Sequence, residues 1–342
     1  MSPPITVLAI DGGGIRGIIP ALVLAEIERR TGSAIADLFD LIAGTSTGGV
    51  LALGLVKPGP DGTPAYRADD LLALYEEEGH LIFSRSIWRR LQTIESTLEE
   101  KYDTRPLEAL LERYFGDTRL NAALVDVLIS CYEIERRIPW FFKRSHAEKK
   151  GGDWNPPMKQ IARATSAAPT YFQPLQVPVQ GERDYYALID GGVYANNPAL
   201  CAYVEARRLF PDAHDVLVVS LGTGSLTRRL PFDEAVGWGL LGWARSILSV
   251  VFDGVSSTVD YQLRELLPCK HGEPRYYRFQ TVLDQGSDDM DDVSALNLRA
   301  LRLHGEAIIT RQSEELERLC GQLVAARATA LRTPALTGAA AR

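Results

Sequence analysis

Ile5-Thr6-Val7-Leu8-Ala9-Ile10 runs straight into Asp11-Gly12-Gly13-Gly14-Ile15-Arg16-Gly17, and the fold is decided by how this stretch is read. A short apolar run, a turn of glycines and a helix-compatible segment make a strand–turn–helix unit. The glycines leave backbone N–H groups with no side chains in the way, as a developing oxyanion requires. About thirty residues on, the unit recurs: Phe39 to Ala43 leads into Gly44-Thr45-Ser46-Thr47-Gly48-Gly49. Ser46 stands at the centre of G-x-S-x-G, the pattern that exposes a nucleophilic hydroxyl on a sharp strand-to-helix turn. A third strand, Tyr185 to Ile189, ends in Asp190-Gly191-Gly192 and offers a carboxylate. Nucleophile, oxyanion donors and base are the parts of a serine hydrolase.

Working outward, strand-like and helix-like runs alternate through about residue 225, which predicts an α/β fold with a mostly parallel central sheet. Helices are expected over Ile18 to Arg30, closed by Thr31-Gly32, and from Ser46 through Val56. Others are expected over Asp69 to Glu78, Arg105 to Tyr114, Pro157 to Ala167 and Pro198 to Leu209. Leu124 to Glu133 reads as a strand that Trp140 to Lys143 extends into a hairpin. Val216 to Ser220 reads as the last parallel strand, ending in Leu221-Gly222-Thr223-Gly224. Beyond it, Trp238 to Leu267 is a long, partly amphipathic helical region, Tyr276 to Gln280 a short strand, and Asn297 to Ala330 helical. No repeat or linker divides the 342 residues, so one domain is expected. Its core spans about 5–225, a helical extension about 226–330, and a fraying tail 331–342.

Composition excludes several functions. A formal net charge of −7 argues against nucleic-acid binding and gives no global attraction to anionic membranes. Cys131, Cys201, Cys269 and Cys320 are scattered without a C-x-x-C pair, so neither a zinc site nor a disulfide framework is implied. The N-terminus has no basic region, its apolar run is too short for a signal peptide, and no stretch is long enough to span a membrane. Cytoplasmic residence is the expectation.

Gly12, Gly14 and Gly17 also satisfy G-x-G-x-x-G, so a dinucleotide site is the rival reading. That site needs an acid about 20 residues on, at the end of the second strand. Here Asp37 and Asp40 precede that strand, which ends in Gly44-Thr45-Ser46 instead.

The full constellation resembles the patatin-like phospholipase family. It comprises Asp-Gly-Gly-Gly-x-Arg-Gly, then Gly-x-Ser-x-Gly, then Asp-Gly-Gly. The resemblance spans most of residues 5 to 225 and includes the run Ala164 to Phe172 and the segment Asn196-Asn197-Pro198. Tyr277-Arg278-Phe279 and the helical end look like bacterial members. The resemblance implies a three-layer α/β/α fold and cleavage of fatty acyl esters of phospholipids or lysophospholipids, with no metal or organic cofactor. It implies that Ser46 is the nucleophile, Asp190 its partner, and Gly12, Gly13 and Gly14 the oxyanion loop, with Gly13 and Gly14 the favoured donors. His80, His146, His214, His271 and His304 all lack the setting of a triad histidine, so a Ser46–Asp190 dyad is expected. An exposed aspartate is a poor base, so burial must raise the Asp190 pKa.

Arg16 has two readings, a loop anchor paired with a carboxylate such as Asp11, or a cation that holds substrate phosphate or braces the oxyanion loop. Asp11 is expected to accept backbone N–H groups, and Gly222-Thr223-Gly224 only to turn the chain. Ser287 to Asp292 reads as a solvated helix entry capped by Ser294 rather than a calcium loop. Trp88, Trp140, Phe141, Phe142 and Trp154 among basic residues suit either core packing or a headgroup interface. Ser84 to Asp103 reads either as an apolar cover of the site or as an ordinary surface helix packed on the core. The expected partner is a phospholipid membrane, met transiently at its inner face. Bacterial relatives of this kind include phospholipases activated by cyclic oligonucleotides in anti-phage defence. A ligand-gated effector with a cyclic nucleotide activator is therefore the second reading, and a homo-oligomer is left open.

Overall fold

The computed structural model describes residues 3–82, 102–178, 184–226, 230–287 and 289–332. Among the described residues ten strands lie in chain order: β1 Ile5–Ile10, β2 Leu41–Thr45, β3 Asp126–Glu133, β4 Ile138–Lys143, β5 Leu175–Pro178, β6 Tyr185–Asp190, β7 Val216–Leu221, β8 Ser225–Leu226, β9 Tyr276–Phe279 and β10 Val282–Leu283. The main sheet runs β5-β6-β3-β2-β1-β7-β9, with β4 also on β3; β8 and β10 form a separate parallel pair. From β3 across to β9 every neighbour is parallel, whereas β4, β5 and β6 pair antiparallel.

The alternation of side chains along each strand sorts the core into two faces. On β1, Leu8 and Ile10 point into the larger core, and Val7 and Ala9 into the smaller one on the opposite side. On β7, Leu217, Val219 and Leu221 share the first face, and Val216 and Val218 the second. Strands buried on both faces read as unbroken apolar runs, and helices must cover both sides. Ile18–Thr31, Thr47–Val56, Ala68–Ile82, Thr104–Phe115 and Met158–Thr165 contribute to the larger core. Ala199–Leu209 and the second half of Leu240–Leu266 cover the other side, completing three layers.

Ile18–Thr31 is apolar nearly all round because Ala295–Arg311 and Ser313–Arg332 pack on it from outside. It ends at Gly32, whose φ of 67° closes the helix as its N–H returns to the Glu28 carbonyl. Cutting fully buried Ile27 to alanine would cost about 2–5 kcal/mol.

Most boundaries fall within a few residues of expectation, with three differences. Pro157 caps Met158–Thr165 from outside rather than opening the helix. The last helical stretch is two helices that break at Gln312. The parallel series does not end at β7, because β9 adds to its far edge. No helix among the described residues is long and apolar enough to cross a membrane. The segment read as a cover or a surface helix lies outside the described residues apart from Tyr102 and Asp103; Asp103 accepts from the Arg105 N–H and caps Thr104–Phe115.

Candidate active site

The elbow after β2 is built from close backbone approaches. Ser46 has φ 55° and ψ −124°, a conformation that costs a non-glycine residue about 1–3 kcal/mol and persists only where its surroundings impose it. A Cβ on Gly48 would strike the Ile10 carbonyl, so glycine lets Thr47–Val56 start tight against the end of β1. Thr165, fully buried, accepts the Ser46 N–H at 2.8 Å and donates its own hydroxyl to the Ser130 carbonyl at 2.8 Å. Ser46 thus sits at the N-terminus of a helix, where the dipole favours developing negative charge.

Asp190 reaches Ser46 through strand pairing. Along one edge of β3, β2 ends with Thr45 opposite Ser130, and β6 ends with Asp190 opposite the next residue, Cys131. The parallel strand and the antiparallel strand approach the same edge from opposite directions, so their C-terminal ends meet. Thr45 fastens the junction, its hydroxyl donating to the Ala195 carbonyl at 2.6 Å and lying 2.6 Å from the Ser130 hydroxyl. Asp190 is 1% exposed; its carboxylate accepts the Gly192 N–H at 2.7 Å and shares the pocket with Ser46. Burial raises its pKa to about 7, against the smaller pull of the neighbouring Ser46 side chain and the Gly192 N–H.

The loop after β1 faces them. The Gly12 N–H donates to the Asn196 carbonyl at 3.0 Å, whereas no bond from the Gly13 or Gly14 N–H is found among the described residues. Gly14 has φ 59°, and a Cβ there would run into the Met290 carbonyl. Arg16 is buried and donates from Nε to the Gly13 carbonyl at 3.2 Å. Gly13, Gly14, Ser46 and Asp190 line one pocket of about 720 Å3, counted out to its open mouth. Leu74, Leu107, Leu110, Leu111 and Phe172 make its walls apolar. None of the five histidines lines it.

A model of the patatin-like phospholipase family matches residues 8–203. The chain belongs to that family. Membership places it among lipid acyl hydrolases. It is similar to patatin-like protein 4 of Arabidopsis thaliana, 33% identical over 334 residues that cover 89% of this chain and 83% of the plant protein. It is also similar to patatin-04/09 of Solanum tuberosum, at 32% over 333 residues, 90% of this chain and 84% of that one. Among solved structures, human GIVD cytosolic phospholipase A2 aligns with 95% of this chain and 59% of its own, at 14% identity and a TM-score of 0.47.

In this patatin-like chain the glycine loop is held by residues beyond the family match. Arg278 on β9 grips Asp11 with two nitrogens, at 2.9 and 2.6 Å, and reaches the Ser220 hydroxyl at 2.7 Å. Burial opposes the Arg278 charge, but Asp11 outweighs it and raises the guanidinium above its ordinary value. Asp11 is therefore an ion-pair partner of Arg278, in place of a simple turn acceptor or the anchor of Arg16. Both groups are buried, where an unpaired charge would be expensive. Thr223 does more than turn the chain, because its hydroxyl donates to the Gly12 carbonyl at 2.7 Å.

The Ser287 to Asp292 region is likewise not simply solvated. The Ile15 N–H donates to the Met290 carbonyl at 2.9 Å, Met290 lines the pocket, and Asp291 is buried against the Tyr102 hydroxyl. Ser294 does cap the next helix, accepting from the Asn297 N–H at 3.3 Å. Trp140 stacks on Trp154 at 5.3 Å and meets Tyr186 at 4.1 Å, while Phe142 is buried, so Trp140, Phe142 and Trp154 are engaged in packing; Trp88 lies outside the described residues. Pairing of Arg278 with Asp11 had no local signal in the sequence; the only cue was an arginine in a strand otherwise buried on alternate positions.

Proposed function

We propose that the protein cleaves fatty acyl esters of phospholipids or lysophospholipids through a Ser46–Asp190 dyad and an oxyanion hole made by Gly13 and Gly14. The reading rests on one observation above all: Ser46 and the buried carboxylate of Asp190 line the same apolar pocket, where burial lifts that carboxylate to a pKa of about 7. A base poised near neutrality is ionised often enough to accept a proton and basic enough to hold it.

In the first half-reaction Ser46 Oγ attacks the acyl carbon as its proton passes to Asp190. The carbonyl oxygen becomes an oxyanion, met by the Gly13 and Gly14 N–H groups, for which no acceptor is found among the described residues. Collapse breaks the ester bond; the leaving alcohol takes the proton from Asp190, and the acyl group stays on Ser46. Water then repeats the sequence, giving its proton to Asp190 and releasing the fatty acid. The apolar walls accept the acyl chain and keep water from the carboxylate, which sustains its raised pKa. The ligand-gated alternative draws no specific support from the described residues.

The test is hydrolysis of phosphatidylcholine, lysophosphatidylcholine and a neutral-lipid ester by purified wild type and Ser46→Ala. The expected outcome is release of fatty acid and labelling by a fluorophosphonate, both lost in Ser46→Ala without change in fold. Wild-type turnover in folded Ser46→Ala would refute the assignment.

A further inference from the structure

Sixteen large apolar side chains stand exposed among the described residues, and six of them fall within positions 230–250. These are Leu230, Phe232, Val236, Trp243, Ile247 and Val250, with Phe232 at 79% and Val236 at 70% exposure. Such a concentration differs from the scattered exposed leucines of an ordinary surface and marks an interaction site.

The long helix Leu240–Leu266 shows how the patch is organised. Trp243, Ile247 and Val250 recur at helical spacing on its outer side. Trp238, before the helix, meets Trp243 edge-on at 5.4 Å and joins the preceding segment to the stripe. Farther along, the exposed positions are Asp253, Gly254, Ser257, Thr258, Arg264 and Glu265, with Tyr261 and Leu266 among them. One helix therefore carries an apolar outer face in its first half and a mostly polar one in its second. From Ala235 to Phe252 the sequence has a single charged residue, Arg245. Water alone would favour polar residues along the whole outer face.

Along the helix axis the patch ends within one turn of the pocket, although the two lie on different sides of the helix. Phe252, two residues beyond Val250, is buried and lines the cavity that holds Ser46 and Asp190. Resting on the reading of that cavity as a lipid acyl site, we infer that the exposed side chains of Leu230, Phe232, Val236, Trp243, Ile247 and Val250 form the surface by which the protein docks on a phospholipid bilayer. Docking there sets the cavity beside the lipid that it consumes. Tryptophans at the headgroup level and aliphatic side chains just below it are the arrangement of an interfacial helix. Asp233 and Glu234 border the patch, and the chain's net charge is −7, so docking is driven by apolar insertion into zwitterionic lipid rather than by anionic headgroups.

The experiment uses Ser46→Ala protein, so that binding is read without turnover, in flotation with phosphatidylcholine vesicles. The double variant Phe232→Ser, Ile247→Ser changes only exposed side chains. It should lower vesicle partitioning by about tenfold or more, with little dependence on salt. In the active enzyme the same pair should slow hydrolysis of vesicle phospholipid and leave turnover of a short-chain monomeric ester unchanged. Partitioning equal to the parent would overturn the docking surface. So would a dimer in solution that the double variant dissociates, because a second copy would then cover the patch. Vesicle binding lost in the variant, in a protein that cleaves no ester, would support the surface and refute the catalytic reading.

Discussion

The two glycine turns that follow β1 and β2 lie at the ends of neighbouring parallel strands, yet they are held in opposite ways. The elbow at Ser46 is shaped by its own Gly44 and Gly48 pressed against adjacent backbone, with Thr165 as the main outside support. The loop at Gly12 to Gly14 is fixed from Asn196, Thr223, Arg278 and Met290, all remote in sequence. A nucleophile needs one strained residue, which a short motif can encode. An oxyanion loop needs backbone N–H groups aimed at a point, and three glycines supply freedom but no direction. The direction comes from residues beyond 195, far along the chain from the loop itself.

The largest effect that would break or sharpen this contrast is on the loop. Gly14→Ala and Arg278→Met should each lower kcat by about 10²–10³ with KM nearly unchanged, since each disturbs donors used only in the transition state. Arg278→Lys should recover part of the loss, because it restores charge to Asp11 without the two-pronged grip. Arg278 is a positioning residue; an Arg278→Met protein with a lower melting temperature but wild-type kcat would show that the loop holds itself.

On the elbow's side, Asp190→Asn should stabilise the fold while removing activity. The folded-state pKa of about 7 lies above the ordinary 3.8, so the folded protein binds the extra proton between those values. Wild-type stability then falls as pH rises across that window, whereas the Asn variant is spared. Its advantage should be absent below pH 3.8 and reach about 2 kcal/mol above pH 7, allowing for a weaker interaction with Ser46. Melting temperatures at several pH values check this. A smaller loss is expected from Thr165→Val, which leaves the Ser46 N–H without its acceptor: about tenfold in kcat and about 1–3 kcal/mol in stability. An unaffected kcat would show that the elbow needs no outside support.

The sequence disclosed what is local. Apolar runs ending in glycine turns gave β1, β2 and β6, and with them Ser46, the glycine loop and Asp190. The meeting of β2 with β6 on one edge of β3 was not legible, because it depends on two long-range pairings, Thr45–Ser130 and Cys131–Asp190. Arg278 was equally hidden: a buried arginine becomes intelligible only when its carboxylate is seen, and Asp11 lies 267 positions away. Thr223 and Met290 act through a hydroxyl and a backbone carbonyl on loop residues whose identity announces no such role.

The central claim is that a buried carboxylate, without a histidine, activates Ser46. Its most direct test is the pH dependence of kcat/KM on a soluble short-chain ester, measured for wild type, Asp190→Asn and His→Ala variants at all five histidines. The account predicts a wild-type rate that rises through a pKa near 7 to a plateau, an inflection that vanishes in Asp190→Asn and survives every histidine change. An inflection that persists in Asp190→Asn, or that disappears with any one histidine, would contradict it.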